Sequence, residues 1–324
     1  MQFFRTPNID FIGFRRKTMM ASAVALVIGL ASMLIHGGLE TSIDFAGGAL
    51  VEIRMDNPVP LSDLRAVVQA GGYDGAEVTN FGAPNEYLIK VKAVGNAVEV
   101  AESLKEIVSG SFTDQNIDIR RTETVGPKIG AELKTAAFWA IIYSLLGIVV
   151  YITWRFQFRF AIAAIIALIH DVLFTLGFFS LMGMEISLAV IAAILTIVGY
   201  SLNDTIVVFD RIRENLHTKR RDNYGGLVNA SINETLSRTI ITSLTTLLVV
   251  LALVIFGGAV IRDFAVTLLV GVLIGTYSSI FIASPVLVEW QEYKAGRSLR
   301  QAKAPRPAKP GKGGKAGKPV KARR

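Results

Sequence analysis

The chain has 324 residues, of which 52% are hydrophobic and only 19% are charged. Because soluble domains carry about 25% charged residues, this composition indicates a membrane protein. The absence of cysteine excludes disulfides, thiol nucleophiles and cysteine-ligated metals. Only three histidines are present, and their scatter predicts no metal site and no cofactor.

The basic charge of the chain is concentrated at one end. Residues 301–324 hold nine Lys/Arg and no acid, so the net charge of +8 falls to −1 for the remainder. This distribution predicts no specific nucleic-acid-binding surface. The same segment is rich in Pro, Gly and Lys and is expected to be disordered.

Six apolar segments are each long enough to cross a hydrocarbon layer of about 30 Å. They fall at 18–36, 135–153, 160–180, 186–209, 239–257 and 264–288. The first is not expected to be a cleaved signal peptide, since no small-residue cleavage site follows it. The predicted regions are a cytoplasmic N-terminus (1–17), helix 1 (18–37), an extracytoplasmic domain (38–134), helices 2–6 (135–290) and a basic disordered tail (291–324).

Lys and Arg in the short flanks predict the orientation, because such residues favour the cytoplasmic side. Basic clusters lie before span one, between spans two and three, between spans four and five, and after span six. The segments on the other side, 181–185 and 257–263, contain Arg262 as their single basic residue. We therefore expect both termini in the cytoplasm of a bacterial inner membrane.

The segment between spans one and two is long enough to fold as a domain. Its periodicities predict strands at 49–55, 76–81, 86–92 and 116–125. Helices are predicted at 61–70 and from a capping pair, Asn96 and Glu99, to about Val108. A Gly-Ala-Pro-Asn turn at 82–85 joins the middle strands. The order β-α-β-β-α-β predicts a ferredoxin-like α+β fold, inserted into an α-helical polytopic membrane protein with six transmembrane helices.

A shorter amphipathic stretch lies near 225–237, between spans four and five. Leu227, Val228, Ile232 and Leu236 share one helical face. This pattern fits either a helix lying on the cytoplasmic membrane surface or a connector packed against the bundle.

Three ionisable side chains within or at the edge of the spans stand out as candidates: Asp171, Asp204 and Arg238. Such groups cost at least about 2.5–3.5 kcal/mol in a bilayer, so they are usually functional or paired. Spans four and five run antiparallel, which makes an Asp204–Arg238 pair geometrically feasible. We predict that the three residues form a proton path, because a buried carboxyl can exchange protons near neutral pH.

Other polar residues accompany these three. They are Tyr200, Asn203 and Thr205 around Asp204, Thr242 one turn after Arg238, and His170 beside Asp171. Three plainer alternatives remain open: Arg238 as an interfacial anchor, the carboxyls as polar contacts between helices, and His170 as a neutral hydrogen-bonded side chain.

Small residues recur every four positions along span six, at Gly271, Gly275, Ser279 and Ala283. Such a stripe permits close helix packing, either within the bundle or against a partner subunit. No phosphate-binding loop, HExxH or GxSxG motif is present, so the sequence predicts no enzyme.

Several motifs together resemble the SecF family of protein-export membrane proteins. They are IDFIGFRRK (9–17), IDFAGGALVEIR (43–54), VGPKIGAEL (125–133), YITWRFQFRFA (151–161), ALIHDVLFTLG (167–177), GYSLNDTIVVFDRIREN (199–215) and NETLSRTIITSLTTLL (233–248). The resemblance covers about residues 8–290 and occurs in the same order along the chain.

The resemblance implies one half of a proton-driven machine of the resistance-nodulation-division superfamily. The implied partners are a SecD subunit, the SecYEG channel, indirectly the SecA ATPase, and the translocating preprotein. It also implies that the aspartate of SLNDT and the arginine of LSRTI, here Asp204 and Arg238, take part in proton conduction, with Asp171 in a less defined role.

Two other functions fit parts of the sequence. One is a proton-coupled exporter of small molecules or lipids, although such proteins usually carry two six-helix units. The other is a passive scaffold, which gains little from intramembrane carboxyls. The basic tail could bind anionic lipid or the ribosome, or have no binding function.

Overall fold

The computed structural model of the chain describes residues 7–92, 97–218 and 223–303. The described part contains six helices that are long and apolar enough to cross a membrane, and this number confirms the prediction. Five of them are α1 (Arg15–Ile35), α5 (Pro127–Arg155), α6 (Phe158–Met182), α7 (Leu188–Thr218) and α8 (Tyr224–Phe256). The sixth is composite: α9 (Gly258–Ser278) passes through a π-helical turn (Ser279–Ala283) into α10 (Ser284–Lys303).

Three of the spans form the inside of the bundle. Half of the most apolar stretch of α6 and of α7 is buried, and 56% of that of the α9–α10 span, against 6% for α5 and 17% for α1 and α8. The shared core contains Ile152, Phe160, Phe209 and Ala283. The sequence concentrates its buried polar groups on the inner helices, so these helices carry the candidate site.

The α/β domain has the predicted order of elements. Strands β1 (Gly48–Met55), β2 (Glu77–Phe81), β3 (Ala83–Lys92) and β4 (Ile117–Val125) form an antiparallel sheet in the order β2-β3-β1-β4. Helices α3 (Leu61–Ala70) and α4 (Ala97–Ser111) cover one face. This is the ferredoxin-like arrangement. Asn96, the predicted cap, lies outside the described residues.

The turn between β2 and β3 is tighter than predicted. Phe81 pairs with Ala83, so the chain reverses at Gly82 alone, whose φ is +69°. The prediction of a four-residue turn at 82–85 was wrong. A reversal at a single residue is possible here because glycine can adopt this left-handed conformation without the strain that a Cβ would add.

The α/β domain is docked on the bundle by backbone and charge contacts. The short helix α2 (Ile43–Ala46) packs against α5, and Ile186 exchanges hydrogen bonds with Glu40 and Ser42. Lys92 Nζ lies 2.5 Å from Glu185. The uncovered face of the sheet borders a cleft of about 780 Å³ above α6 and α9. These contacts tie the domain to the loop before α7.

Lys90 shows the balance of charge in that cleft. Burial by itself lowers the pKa of Lys90, but its hydrogen bond to Glu77 at 2.8 Å and the charges of Glu77, Glu185 and Asp263 outweigh burial. The pKa of Lys90 is therefore raised, and the side chain stays cationic at neutral pH.

The predicted surface helix near 225–237 is instead the first part of α8, which runs without interruption to Phe256. Leu227, Val228, Ile232 and Leu236 all belong to the bundle core. On the same stretch, Asn233 Nδ2 donates to Ile9 O at 2.9 Å and its Oδ1 accepts from Ile9 N at 2.9 Å. The apolar face thus packs against the bundle, and the connector alternative is the one observed.

The predicted tail also begins later than expected. Helix α10 continues to Lys303, so residues 291–303 are helical and the prediction of disorder from residue 291 was wrong there. The cause is local: Arg15 binds Glu289 at 2.8 Å and Glu292 at 2.9 Å, which supports the helix past its apolar end. Residues 304–324 lie outside the described part.

Helices α1 and α6 cross at a pair of glycines. A Cβ built on Gly29 would lie 2.8 Å from the Cα of Gly177, and the reverse distance is the same. Gly29→Ala is therefore expected to lower the free energy of unfolding by about 1–3 kcal/mol through overpacking. Thermal unfolding of the purified protein in detergent measures the change.

Gly147→Ala on α5 is the matched control for Gly29→Ala. No atom lies within 4 Å of a Cβ built there, and alanine favours a helix over glycine by about 1 kcal/mol. A Gly29→Ala protein as stable as the Gly147→Ala protein would contradict the close crossing.

Candidate functional site

Asp204 lies on the inner side of α7 with only 3% of its surface exposed. The adjacent Thr205 donates to Ser201 O at 3.1 Å and shares a 2.8 Å hydrogen bond with Ser279 Oγ of the π-helical turn. The hydrogen bond to Ser279 crosses from α7 to the sixth span and so helps to set the rotation of α7 about its axis. Thr205, predicted as a supporting residue, therefore holds the segment that carries Asp204.

The Asp204 carboxyl is weakly held. Ser243 Oγ of α8 donates to its Oδ2 across 3.4 Å, which is long for an O–H···O bond. The same hydroxyl shares a shorter 2.6 Å hydrogen bond with Thr276 of α9. The carboxyl is therefore not part of a tight hydrogen-bond network.

Arg238 lies on α8 near this carboxyl but does not bind it. Its side chain is exposed, and no ion pair within 4 Å joins the two residues, both of which the structure describes. The guanidinium is close enough to act on Asp204 electrostatically. The structure therefore brings the predicted pair to one seam, between α7 and α8, in an open arrangement.

Asp171 has the opposite environment. It is fully buried on α6, and its Oδ2 accepts from Ser201 of α7 at 2.6 Å and from Ser278 of α9 at 2.8 Å. Its Oδ1 lies 3.0 Å from His170 Nδ1. One carboxyl thus joins all three inner helices, with most of its hydrogen-bonding capacity used.

His170 is buried beside Asp171, with 5% of its surface exposed. Its ring lies 6.2 Å from that of Tyr277, and its Nε2 is buried without a hydrogen-bond partner. Tyr277 in turn donates to Thr18 O of α1 at 3.0 Å. The histidine therefore touches the polar network through one nitrogen only.

The remaining predicted residues divide between the two sides of α7. Tyr200 donates to Thr242 O and to Thr246 Oγ1, each at 3.2 Å, and so reaches α8. Thr242 donates to Arg238 O at 3.0 Å, within its own helix. Asn203 is exposed and faces out of the bundle. The predicted supporting residues of α7 are therefore partly inside the bundle and partly on its outer surface.

The small-residue stripe of α9 packs against α7. A Cβ on Gly271 would lie 2.1 Å from Ile197, and a Cβ on Gly275 would lie 2.8 Å from Ser201. Ser279, the next position of the stripe, bonds Thr205. Of the two uses open from sequence, the internal one is observed, and it brings Ser278 within reach of Asp171.

Sequence reasoning missed the hydroxyls that bind the two carboxyls, Ser201, Ser243 and Ser278, and Thr276, which bonds Ser243. A weak signal existed, since Ser201 lies four residues before Thr205 and Ser278 adjoins the small-residue stripe. Among the described residues, no cluster of His, Cys, Asp or Glu has the geometry of a metal site.

Comparison with known proteins places the chain in a family. A family model described as protein export membrane protein SecD/SecF, C-terminal, matches residues 105–293. The protein translocase subunit SecF of Desulfurispirillum indicum is 48% identical over 290 residues, covering 87% of this chain and 92% of the relative. The chain belongs to the SecD/SecF family. SecF of Magnetococcus marinus is 45% identical over 294 residues, covering 88% and 93% of the two chains.

The SecD/SecF fold is also found in a solved structure. The crystal structure of SecDF, a translocon-associated membrane protein of Thermus thermophilus, matches 90% of this chain with a TM-score of 0.78 and 39% identity. This SecF-type chain spans 40% of the SecDF chain. The match confirms a multi-pass helical protein that carries a small α/β domain.

Proposed function

We propose that the chain is the SecF subunit of a protein translocase accessory complex in the bacterial inner membrane. It uses the proton motive force to promote preprotein movement and release on the periplasmic side. The observation that carries this proposal is Asp204, a buried and weakly bonded carboxyl beside a cation that does not pair with it. We propose no enzymatic reaction, in line with relatives named translocase subunits.

The proposed orientation has both termini in the cytoplasm and the α/β domain in the periplasm. Paired arginines support it, because Arg15, Arg155 and Arg211 all lie at the bundle end opposite the α/β domain. Basic residues favour the cytoplasmic face. The basic residues at this end of the bundle therefore agree with the orientation predicted from the Lys and Arg beside the spans.

In the proposed cycle, Asp204 gains a proton in one arrangement of α7 and α8 and loses it in another. Burial disfavours the charged carboxylate, and approach of Arg238 favours it. A small shift between the helices that moves the guanidinium towards the carboxyl would release the proton. One proton crossing 100 mV supplies about 2.3 kcal/mol for such a shift.

Asp171 has a different part in this proposal. Because three groups from three helices bind it, a change of its charge would disturb α6, α7 and α9 together. We propose that Asp171 positions the inner helices around Asp204, so that proton exchange at Asp204 is transmitted as helix movement. The docked α/β domain receives that movement through Glu185 and Ile186, in the loop before α7.

A SecD-like subunit is the proposed partner within the membrane. Polar residues on the outer surface of the bundle, Thr196 and Asn203 of α7 and Thr245 of α8, support it. Such groups are unfavourable against lipid tails and are suited to a second helical half. The SecDF protein of Thermus thermophilus, of which this chain spans 40%, agrees with that arrangement. SecYEG, SecA and the preprotein are the proposed partners beyond it.

The test uses membrane vesicles from cells depleted of their own SecF and supplied with this chain. We expect the chain to co-purify with a SecD-like protein in mild detergent and to restore preprotein translocation. The restored increment should vanish when an uncoupler dissipates the proton gradient at constant ATP. Depleted vesicles given the same uncoupler correct for other effects of the gradient. A restored increment that ignores the uncoupler would indicate a passive scaffold instead.

A further inference from the structure

A second polar cavity lies at the end of the bundle opposite the α/β domain. It has a volume of about 300 Å³ and is enclosed where α6 begins, α7 ends, α8 begins and α10 passes. Arg159, Arg213 and Lys294 line it together with Tyr224 and Trp290. No acidic side chain of a described residue lines this cavity, so its walls carry net positive charge. Neither Asp204 nor Asp171, nor any side chain that bonds them, lines this cavity.

Three hydrogen-bonding atoms in this cavity are buried without a partner. They are Arg159 Nε, Tyr224 Oη and Trp290 Nε1, half of the six such side-chain atoms in the described part of the chain. Buried donors are nearly always satisfied in native proteins, so each exception requires an explanation. Three that line one cavity indicate a missing acceptor.

The cations around the cavity also lack a carboxylate partner among the described residues, and Arg213 makes only a long 3.4 Å hydrogen bond to Arg155 O. Arg15, Arg155 and Arg211, at the same end of the bundle, each bind a carboxylate. No carboxylate of a described residue lies within ion-pair distance of Arg159, Arg213 or Lys294. The Arg159 guanidinium instead lies 5.1 Å from the ring of Phe160 and 5.9 Å from that of Tyr224, with one long 3.4 Å bond to Gln291. The guanidinium therefore packs against aromatic rings and not against a carboxylate of a described residue.

We infer that this cavity binds a phosphate group. Arginine presents a planar fork of donors that matches phosphate oxygens, and the Tyr224 hydroxyl and Trp290 indole supply neutral donors beside it. The phosphate can belong to the headgroup of an anionic phospholipid or to free phosphate. Tyrosine and tryptophan are typical of the membrane–water interface, where both sources are present.

The experiment uses the purified full chain in detergent and two probes. Native mass spectrometry measures retained phosphatidylglycerol against phosphatidylcholine, and thermal unfolding measures protection by inorganic phosphate against chloride at equal ionic strength. The double variant Arg159→Gln/Arg213→Gln is expected to bind the effective probe at least about tenfold more weakly, since two charge-assisted donors are lost. The control Arg16→Gln/Lys17→Gln removes the same charge from exposed residues outside the cavity and should bind like the wild type.

Tyr224→Phe keeps the test valid if the double variant does not fold. It removes one buried hydroxyl without changing charge and is expected to weaken binding about threefold to tenfold. All variants share the basic tail, so its contribution cancels. Retention of phosphatidylglycerol alone assigns the site to lipid, and protection by phosphate alone assigns it to the free ion. No binding by the wild type, or an equal loss in the Arg16/Lys17 control, would overturn the inference.

Discussion

Asp204→Asn is expected to abolish the proton-dependent part of preprotein translocation while the protein remains folded and associated with its partner. Asparagine has nearly the same shape and can still accept the long hydrogen bond from Ser243, but it cannot exchange a proton. The stimulation measured in vesicles should fall to the level seen without the subunit. The measurement is translocation of a reporter preprotein with and without the proton gradient, at matched protein levels.

Asp210→Asn is the matched control for that substitution. Asp210 lies six residues further along α7, about 9 Å along the helix axis. It binds Arg155 at 3.1 Å with 44% of its side chain exposed. An exposed ion pair of this kind contributes about 0–1 kcal/mol, so export should stay near the wild-type level. Equal loss of export in both variants would show that any change of charge on α7 is harmful, and the special role of Asp204 would be rejected.

Arg238→Met extends the same prediction to the cation. Without the guanidinium, the ionised form of Asp204 loses the positive charge that stabilises it, so proton release should slow and export should fall. Because Arg238 is exposed, the substitution should leave thermal stability almost unchanged. Normal export by a stable Arg238→Met protein would instead favour the interfacial-anchor interpretation of this residue.

Asp171→Ala is expected to lower the stability of the bundle more than any substitution at Asp204. Removing the carboxyl leaves Ser201, Ser278 and His170 without their buried partner. Ser278 keeps its hydrogen bond to Gly275 O at 3.1 Å, but Ser201 and His170 are left unsatisfied. Each such group costs about 1–3 kcal/mol, so the free energy of unfolding should fall by at least about 2 kcal/mol. Thermal unfolding in detergent and the amount of protein in membranes measure this loss.

Asp171→Asn separates stability from proton exchange at the same position. The amide oxygen can still accept from Ser201 and Ser278, and a change of tautomer at His170 accommodates the amide nitrogen. We therefore expect stability and export nearer to the wild type than in Asp171→Ala. A stable Asp171→Asn protein that exports nothing would place Asp171 in the proton path itself, as one interpretation of the sequence has it.

The sequence by itself determined the number of spans and the order of elements in the α/β domain. Both follow from local rules: a lipid-exposed backbone must form complete helices, and strands and helices have different apolar periods. For the same reason Asp171 and Asp204 stood out as candidates, since ionisable residues within apolar spans need no fold to be recognised.

Only the tertiary structure decided which polar groups face one another. Asn203 and Asp204 are adjacent in sequence, yet one is exposed and the other buried, because the rotation of α7 is set by the glycine seam with α9. Likewise, Ser201 and Ser278 reach Asp171 from helices far apart in the chain. Packing between helices determines these side-chain directions. No local sequence pattern encodes them, because the face of a helix that turns inward depends on contacts with helices that are distant in the chain.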